Sequence, residues 1–178
     1  MIIKPKQIKS IKENKVTLVP KFISLDPSTY DFNWLSEFIE LWDQGIICKK
    51  DEKTTPQEFL RGSYQIQHLH LHDKNAFIYL DFFKKMFSYD NHPYDGTDVF
   101  FSFCSSTGGS HKDDEDVFII SLFGKTIYRL FSSPSVEKDT NYFLEPGDLI
   151  YVPRQTSHRA ISVGPRINFS VGCYGIRR

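Results

Sequence analysis

The sequence predicts a mainly β fold, a sandwich or jelly roll, with N-terminal helices packed on one face of the sheet. Three observations lead there. From Asp98 onward short apolar runs alternate with turn residues, among them Gly108, Gly109, Gly124, Pro146, Gly147, Pro153, Gly164 and Pro165. Many short strands with regular turn signals mark a two-sheet or closed β architecture. Aromatic residues make up 15% of the chain, 16 of them Phe, which suits sheet packing better than a helical bundle. Before residue 95 the apolar residues recur instead at intervals of three and four.

Taken in order, residues 1–21 carry six lysines against one acid, Glu13. They read as a solvated segment around a short strand, VTLVP at 16–20; a basic arm touching RNA or an acidic partner is the lesser reading. Asp31 to Ile47 reads as a helix, with Phe32, Leu35, Phe38, Ile39 and Trp42 on one side and Gly45 at its end. Pro56 to Leu60 starts a short helix. Asn75 to Phe87 is a third, with Phe77, Leu80, Phe83, Met86 and Phe87 as core positions. Strands follow at 98–104, 116–122, 126–131, 148–153, 158–163 and 166–174. The chain is one domain over 1–178, with a support region at 1–94 and the β core at 95–178.

Lys plus Arg number 22, Asp plus Glu 22, and the formal net charge is zero. That balance argues against a dedicated nucleic-acid or membrane-surface protein. No apolar run approaches the ~20 residues of a membrane span, and the first residues lack the apolar core of a secretory signal. Cys48, Cys104 and Cys173 form neither a CxxC pair nor a zinc spacing. The expectation is a soluble, cytoplasmic protein with free thiols.

The strongest chemical signal is SHKDDEDVFII. His111 and Asp113 are two apart at the head of a strand, where alternation puts both on one face. His158 follows LEPGDLIYVPRQTS and opens a strand that can lie beside them. Two imidazoles and a carboxylate on one face form a facial triad, which leaves positions open on an octahedral metal as in non-haem Fe(II) oxygenases. HxD alone is common by chance; His111 capping a loop and acids 113–116 forming a solvated run is the plain alternative. The surrounding pattern raises the signal: a Gly-rich approach, a buried strand, a Gly turn, then PGD, a strand and P-x(4)-H.

HKDDEDVFIISLFGKTIYRLF resembles the JmjC-type 2-oxoglutarate oxygenases, most of all their bacterial ribosomal-oxygenase branch. LEPGDLIYVPRQTSH resembles the strand carrying that family's second histidine, and NFSVGCYG its closing strand. The resemblance covers residues 95–178 well and the N-terminal half poorly. It implies a double-stranded β-helix of the jelly-roll or cupin type, Fe(II), 2-oxoglutarate as co-substrate and O2. Position by position it implies His111, Asp113 and His158 as metal ligands. It selects Asp113 over Asp114 and Glu115, because a further acid matching Asp116 opens the strand. The sequence stops at Arg178, directly after the barrel strands, so the expectation is that the branch's dimerisation and winged-helix regions are absent.

The far carboxylate of 2-oxoglutarate needs a buried cation. The family position for it matches Thr126, which is uncharged, and Lys125 faces the other way by alternation. Arg166, Asn168 and Ser170 alternate on the last strand. This resembles the prolyl-hydroxylase type of 2-oxoglutarate oxygenase, in which an Arg on that strand holds the carboxylate. Arg166 is therefore expected to supply the cation, with Thr126 and Tyr128 adding hydroxyls; a solvated turn residue is the plain alternative.

His68, His70 and His72 alternate in QHLHLHD, a spacing that could bind zinc or copper in a strand. A half-buried strand with a polar His face, and Leu69 and Leu71 on the other, is preferred. His92 reads as a loop residue. Ser105, Ser106 and Thr107 before Gly108–Gly109 lack the Lys and helix of a phosphate loop.

The leading expectation is an oxygenase that hydroxylates a protein side chain, with a ribosomal protein as substrate by family analogy. A small-molecule or tRNA-base substrate stays open. The alternatives are a cupin metalloenzyme independent of 2-oxoglutarate, either a dioxygenase or an isomerase, and a non-catalytic binding barrel.

Overall fold

The computed structural model describes residues 1–26, 29–43, 56–87, 96–107, 109–134 and 136–174. The elements run α1 (Pro5–Lys12), β1 (Thr17–Val19), α2 (Phe32–Asp43), α3 (Pro56–Arg61), β2 (Ser63–Ile66), a 3₁₀ turn (Leu69–Leu71), α4 (Lys74–Phe87), β3 (Gly96–Ser102), β4 (Asp116–Phe123), β5 (Thr126–Leu130), β6 (Thr140–Leu144), β7 (Leu149–Val152), β8 (His158–Ser162) and β9 (Arg166–Cys173). A six-stranded sheet has the order β1-β7-β4-β9-β3-β2 and a three-stranded sheet the order β6-β5-β8. All pairings are antiparallel. The mainly β double-stranded β-helix expected from the sequence is what the chain forms.

β4 explains the layering. It is buried along almost its whole length, because its two faces meet different cores. Phe118, Ile120 and Leu122 join the cluster under the helices, with Leu35, Tyr79, Leu80, Phe83 and Phe87. Val117 and Ile119 face the small sheet, with Tyr128, Leu130, Leu144, Ile150 and Val152. Phe118 stacks on Phe83 at 4.1 Å and on Phe87 at 5.3 Å. The N-terminal helices thus cover one face of the large sheet, and the opposite face looks across to the small sheet.

Two turns need their glycines. Gly124 joins β4 to β5 at φ +71°, and a Cβ there would collide with the Pro165 carbonyl. Gly147 has φ +93°, and a Cβ there would press on the Ile23 carbonyl.

Several elements differ from the sequence expectation. α1 lies in the lysine-rich segment that was expected only to be solvated. Pro5 starts it, Ile11 is buried and Ile8 packs beside it. β2 and β6 were not expected. Phe77, expected in the core, is 54% exposed; the buried stripe of α4 is Ala76, Tyr79, Leu80, Phe83 and Phe87. QHLHLHD is not a strand. His68 is left-handed at φ 57°, a 3₁₀ turn follows, and Leu69 is buried while Leu71 is 71% exposed. α2 begins where Asp31 Oδ1 accepts from the Trp34 amide at 2.9 Å, an N-cap arrangement. Its expected end at Ile47 lies outside the described residues, as do Cys48 and His92.

Candidate metal centre and its pocket

His111 is bridged to His158 outside the named strands. Each backbone amide donates to the other's carbonyl, at 3.0 and 2.9 Å, and the rings lie 4.3 Å apart. Asp113 sits in the loop before β4, not in a strand, so the alternation argument does not describe it. The loop still turns its carboxylate between the imidazoles: Oδ1 is 3.7 Å from His111 Nε2 and Oδ2 is 3.5 Å from His158 Nε2. One ligand atom from each residue lies within 4.8 Å of the others, the one such group of His, Cys and acidic residues among those described.

Hydrogen bonding defines which ring nitrogen is available. His111 Nδ1 lies 3.1 Å from the Gly109 carbonyl and His158 Nδ1 3.0 Å from the Thr156 carbonyl. A carbonyl only accepts, so each Nδ1 carries a proton, and each Nε2 is the ring atom turned toward the Asp113 carboxylate. Burial pulls the His158 pKa below its ordinary value, with His111 adding to the effect and Thr156 and Asp113 opposing it. A neutral imidazole therefore aims a lone pair at a carboxylate oxygen. A cation between them resolves that opposition, and the backbone carbonyls are the outer partners that orient metal-binding histidines. The donor set fits a divalent metal with open positions.

Asp116 stands apart from these donors, at the strand opening where the resemblance places an acid. It is 2% exposed, opens β4, and accepts from Tyr151 Oη at 2.9 Å and the Arg154 amide at 3.1 Å. It joins the loop carrying Asp113 to the turn before His158.

The centre opens on a cavity of about 430 Å³ lined also by Tyr128, Ala160, Arg166 and Ser170. Arg166 is 2% exposed. Its Nη2 donates to Ser63 Oγ at 3.2 Å, its Nε has no partner, and no carboxylate pairs with it among the described residues. Burial lowers its pKa, opposed by Tyr128, yet a guanidinium stays charged in proteins. A buried cation that faces a cavity without a carboxylate partner has the chemistry to pair with an anion.

Around it, Thr126 and Asn168 are both buried. The Asn168 amide, oriented to satisfy its neighbours, accepts from Thr126 Oγ1 at 3.1 Å and from Arg166 Nη1 at 3.3 Å. Burial pushes the Tyr128 phenol pKa up, and Arg166 and Asn168 beside it work against that shift. Lys125 points outward to Glu145 at 3.0 Å, as alternation predicts. The structure thus gathers His111, Asp113, His158, Tyr128, Arg166 and Ser170 on one cavity. Thr126 and Asn168 stand behind Arg166.

Sequence reasoning missed the wall made by Ser63, Tyr64 and Gln65 on β2 and by Asp98 at the head of β3. Asp98 accepts from Gln65 Nε2 at 2.7 Å and from the His68 amide at 2.9 Å. An acid inside the apolar run GTDVFF was the one available hint. The His68 and His70 rings lie 6.0 Å apart. His70 Nδ1 accepts from the Thr97 amide at 3.1 Å, which occupies that nitrogen. Ser106 is bonded to Ser162 at 2.9 Å.

Comparison with known proteins adds a family. The JmjC domain family matches residues 71–177. Ribosomal oxygenase 2 of Rattus norvegicus is 36% identical over 80 residues, covering 36% of this chain and 17% of that protein, and the Mus musculus protein matches equally. The crystal structure of the Escherichia coli ribosomal oxygenase YcfD superposes with a TM-score of 0.69 at 20% identity, covering 98% of this chain and 52% of that one. YcfD in complex with cobalt and 2-oxoglutarate gives 0.64 at 19% identity, covering 90% and 48%. At that identity the structures speak for fold. The chain spans about half the length of these solved relatives and under a fifth of the curated ones.

Proposed function

Because this chain belongs to the JmjC domain family, we propose that it is an Fe(II)- and 2-oxoglutarate-dependent oxygenase that hydroxylates a protein side chain. One observation carries the reading. A His-Asp-His donor set and a buried arginine without a carboxylate partner share one cavity. A metal alone accounts for the first and not the second. A ligand that chelates a metal at one end and carries a carboxylate at the other accounts for both.

His111, Asp113 and His158 would hold the metal through Nε2, a carboxylate oxygen and Nε2. When bound, Fe(II) supplies the activation of O2 that couples oxidation of a C–H bond to decarboxylation of the 2-oxo acid. The overall balance is 2-oxoglutarate + O2 + R–H → succinate + CO2 + R–OH. Arg166 pairs with the far carboxylate and so sets the co-substrate's depth and direction. Asn168 and Thr126 brace the guanidinium from behind, and Tyr128 adds a hydroxyl beside it. Val117, Ile119, Phe100 and Ala160 form the apolar wall that keeps stray water from the reacting centre.

The similar proteins are named ribosomal oxygenases, and a ribosomal-protein substrate, with the cytoplasmic location that goes with it, is proposed on that analogy. The test is succinate formation by the purified protein given Fe(II), O2 and 2-oxoglutarate. We expect slow, metal-dependent succinate release without added substrate, abolished in His111→Ala. No succinate from a protein that binds both metal and 2-oxoglutarate would overturn the reading.

A further inference from the structure

Resting on the metal site proposed above, we infer that Gln155 is a positioning residue that sets Asp113 for metal binding. Its backbone is left-handed at φ 61°, a costly conformation for a side chain that is neither Gly, Asn nor Asp. It lies in the turn between Pro153 and His158, opposite the loop that carries Asp113. Three hydrogen bonds join the two. The Gln155 amide donates to the Asp113 carbonyl at 2.8 Å, and Gln155 Nε2 donates to the same carbonyl at 3.3 Å. Nε2 also donates to Asp114 Oδ1 at 2.6 Å.

The carbonyl that receives both donors belongs to the residue whose carboxylate lies between the histidines. Holding it fixes the Asp113 backbone, while Asp116 fixes the loop at the strand head through Tyr151 and Arg154. The same turn presents the Thr156 carbonyl to His158 Nδ1. One turn therefore orients two of the three donors: His158 through Thr156, and Asp113 through Gln155. A left-handed residue at 155 brings main-chain and side-chain donors of one residue onto one carbonyl. The side chain is exposed, so core packing does not account for its place.

The test is Co(II) binding by anaerobic calorimetry, with the melting temperature of the metal-free protein measured alongside. The variants are Gln155→Gly, Asp114→Ala, the double variant and His111→Ala. Glycine adopts the left-handed region freely, so Gln155→Gly removes the side-chain bonds and the backbone cost together. We expect roughly tenfold weaker Co(II) binding in either single variant, the scale of outer partners of metal ligands, with metal-free melting unchanged or raised. The double variant should be little worse than Gln155→Gly, because Asp114→Ala removes one of the two side-chain bonds that Gln155→Gly already removes. Affinity within twofold of wild type in Gln155→Gly, or affinity lost only alongside metal-free melting in both variants, overturns the inference. If wild type binds Co(II) and His111→Ala does not, that failure leaves the metal site standing. A wild type that binds no Co(II) overturns both.

Discussion

His111 and His158 face each other across a single antiparallel bridge, exchanging two backbone hydrogen bonds of 3.0 and 2.9 Å while their rings lie 4.3 Å apart. The residues are 47 positions apart in sequence, yet the main chain itself brings them together. The two histidine donors are therefore arranged by backbone pairing. His158→Ala should leave the fold intact, because the bridge uses only main-chain atoms. It should weaken Co(II) binding by more than the ~10–100-fold attributable to outer partners. Calorimetry with far-UV circular dichroism as a folding control checks both halves.

Arg166 is expected to govern the co-substrate and not the metal. In Arg166→Ala, Mn(II) affinity should stay near wild type while 2-oxoglutarate binding weakens by about 2–5 kcal/mol, the range for one partner of a buried charge pair. That is roughly 30- to 5,000-fold. Arg166→Lys should recover part of it, since an ammonium restores charge but not the two-pronged geometry. Parallel titrations of metal and 2-oxoglutarate separate the two effects.

Phe118 tests the attachment of the helices. It is fully buried on the helix side of β4, stacked between Phe83 and Phe87 with Tyr151 at 5.0 Å. Phe118→Ala should cost about 3–5 kcal/mol of folding stability, the transfer and cavity terms together. Urea denaturation measures it; a loss under 1 kcal/mol would mean that α4 does not pack on the sheet as described.

Gly124 tests the turn between β4 and β5. Gly124→Ala adds a side chain at φ +71° against the Pro165 carbonyl and should cost roughly 2–4 kcal/mol. Gly109→Ala is the control. A Cβ there meets nothing within 4 Å, and the change should stay within about 0.5 kcal/mol.

The sequence was most legible where local and long-range demands agree. β4, β7 and β9 are apolar runs near turn glycines and prolines, and the large sheet places β4 between β7 and β9. His111, Asp113 and His158 were legible through their spacing and family resemblance, although Asp113 arrives through a loop and not by strand alternation. Arg166 stood out because the matching position, Thr126, is uncharged; the structure buries Arg166 at the same cavity, and its pairing with 2-oxoglutarate is the proposal. The failures have physical causes. HLHLH alternates like a strand, but no strand among the described residues pairs with it, and it forms a 3₁₀ turn after a left-handed His68. β6 buries only Leu144, with Tyr142 part-buried beside it and Phe143 65% exposed, so its sequence shows no clean apolar alternation. β2 is four residues long, and its place at the cavity wall comes only from pairing with β3. Phe77 misled because a helix stripe is set by the surface it meets, and that surface lies one residue further round.

The most direct test of the account is anaerobic calorimetry of 2-oxoglutarate with Mn(II), run on wild type, His111→Ala and Arg166→Ala together. The account predicts metal-dependent binding in wild type and none in His111→Ala. In Arg166→Ala it predicts 2-oxoglutarate binding weakened roughly 30-fold or more with Mn(II) still held. Tight Mn(II) binding by wild type with no 2-oxoglutarate binding, or unaltered 2-oxoglutarate binding in Arg166→Ala, would contradict it.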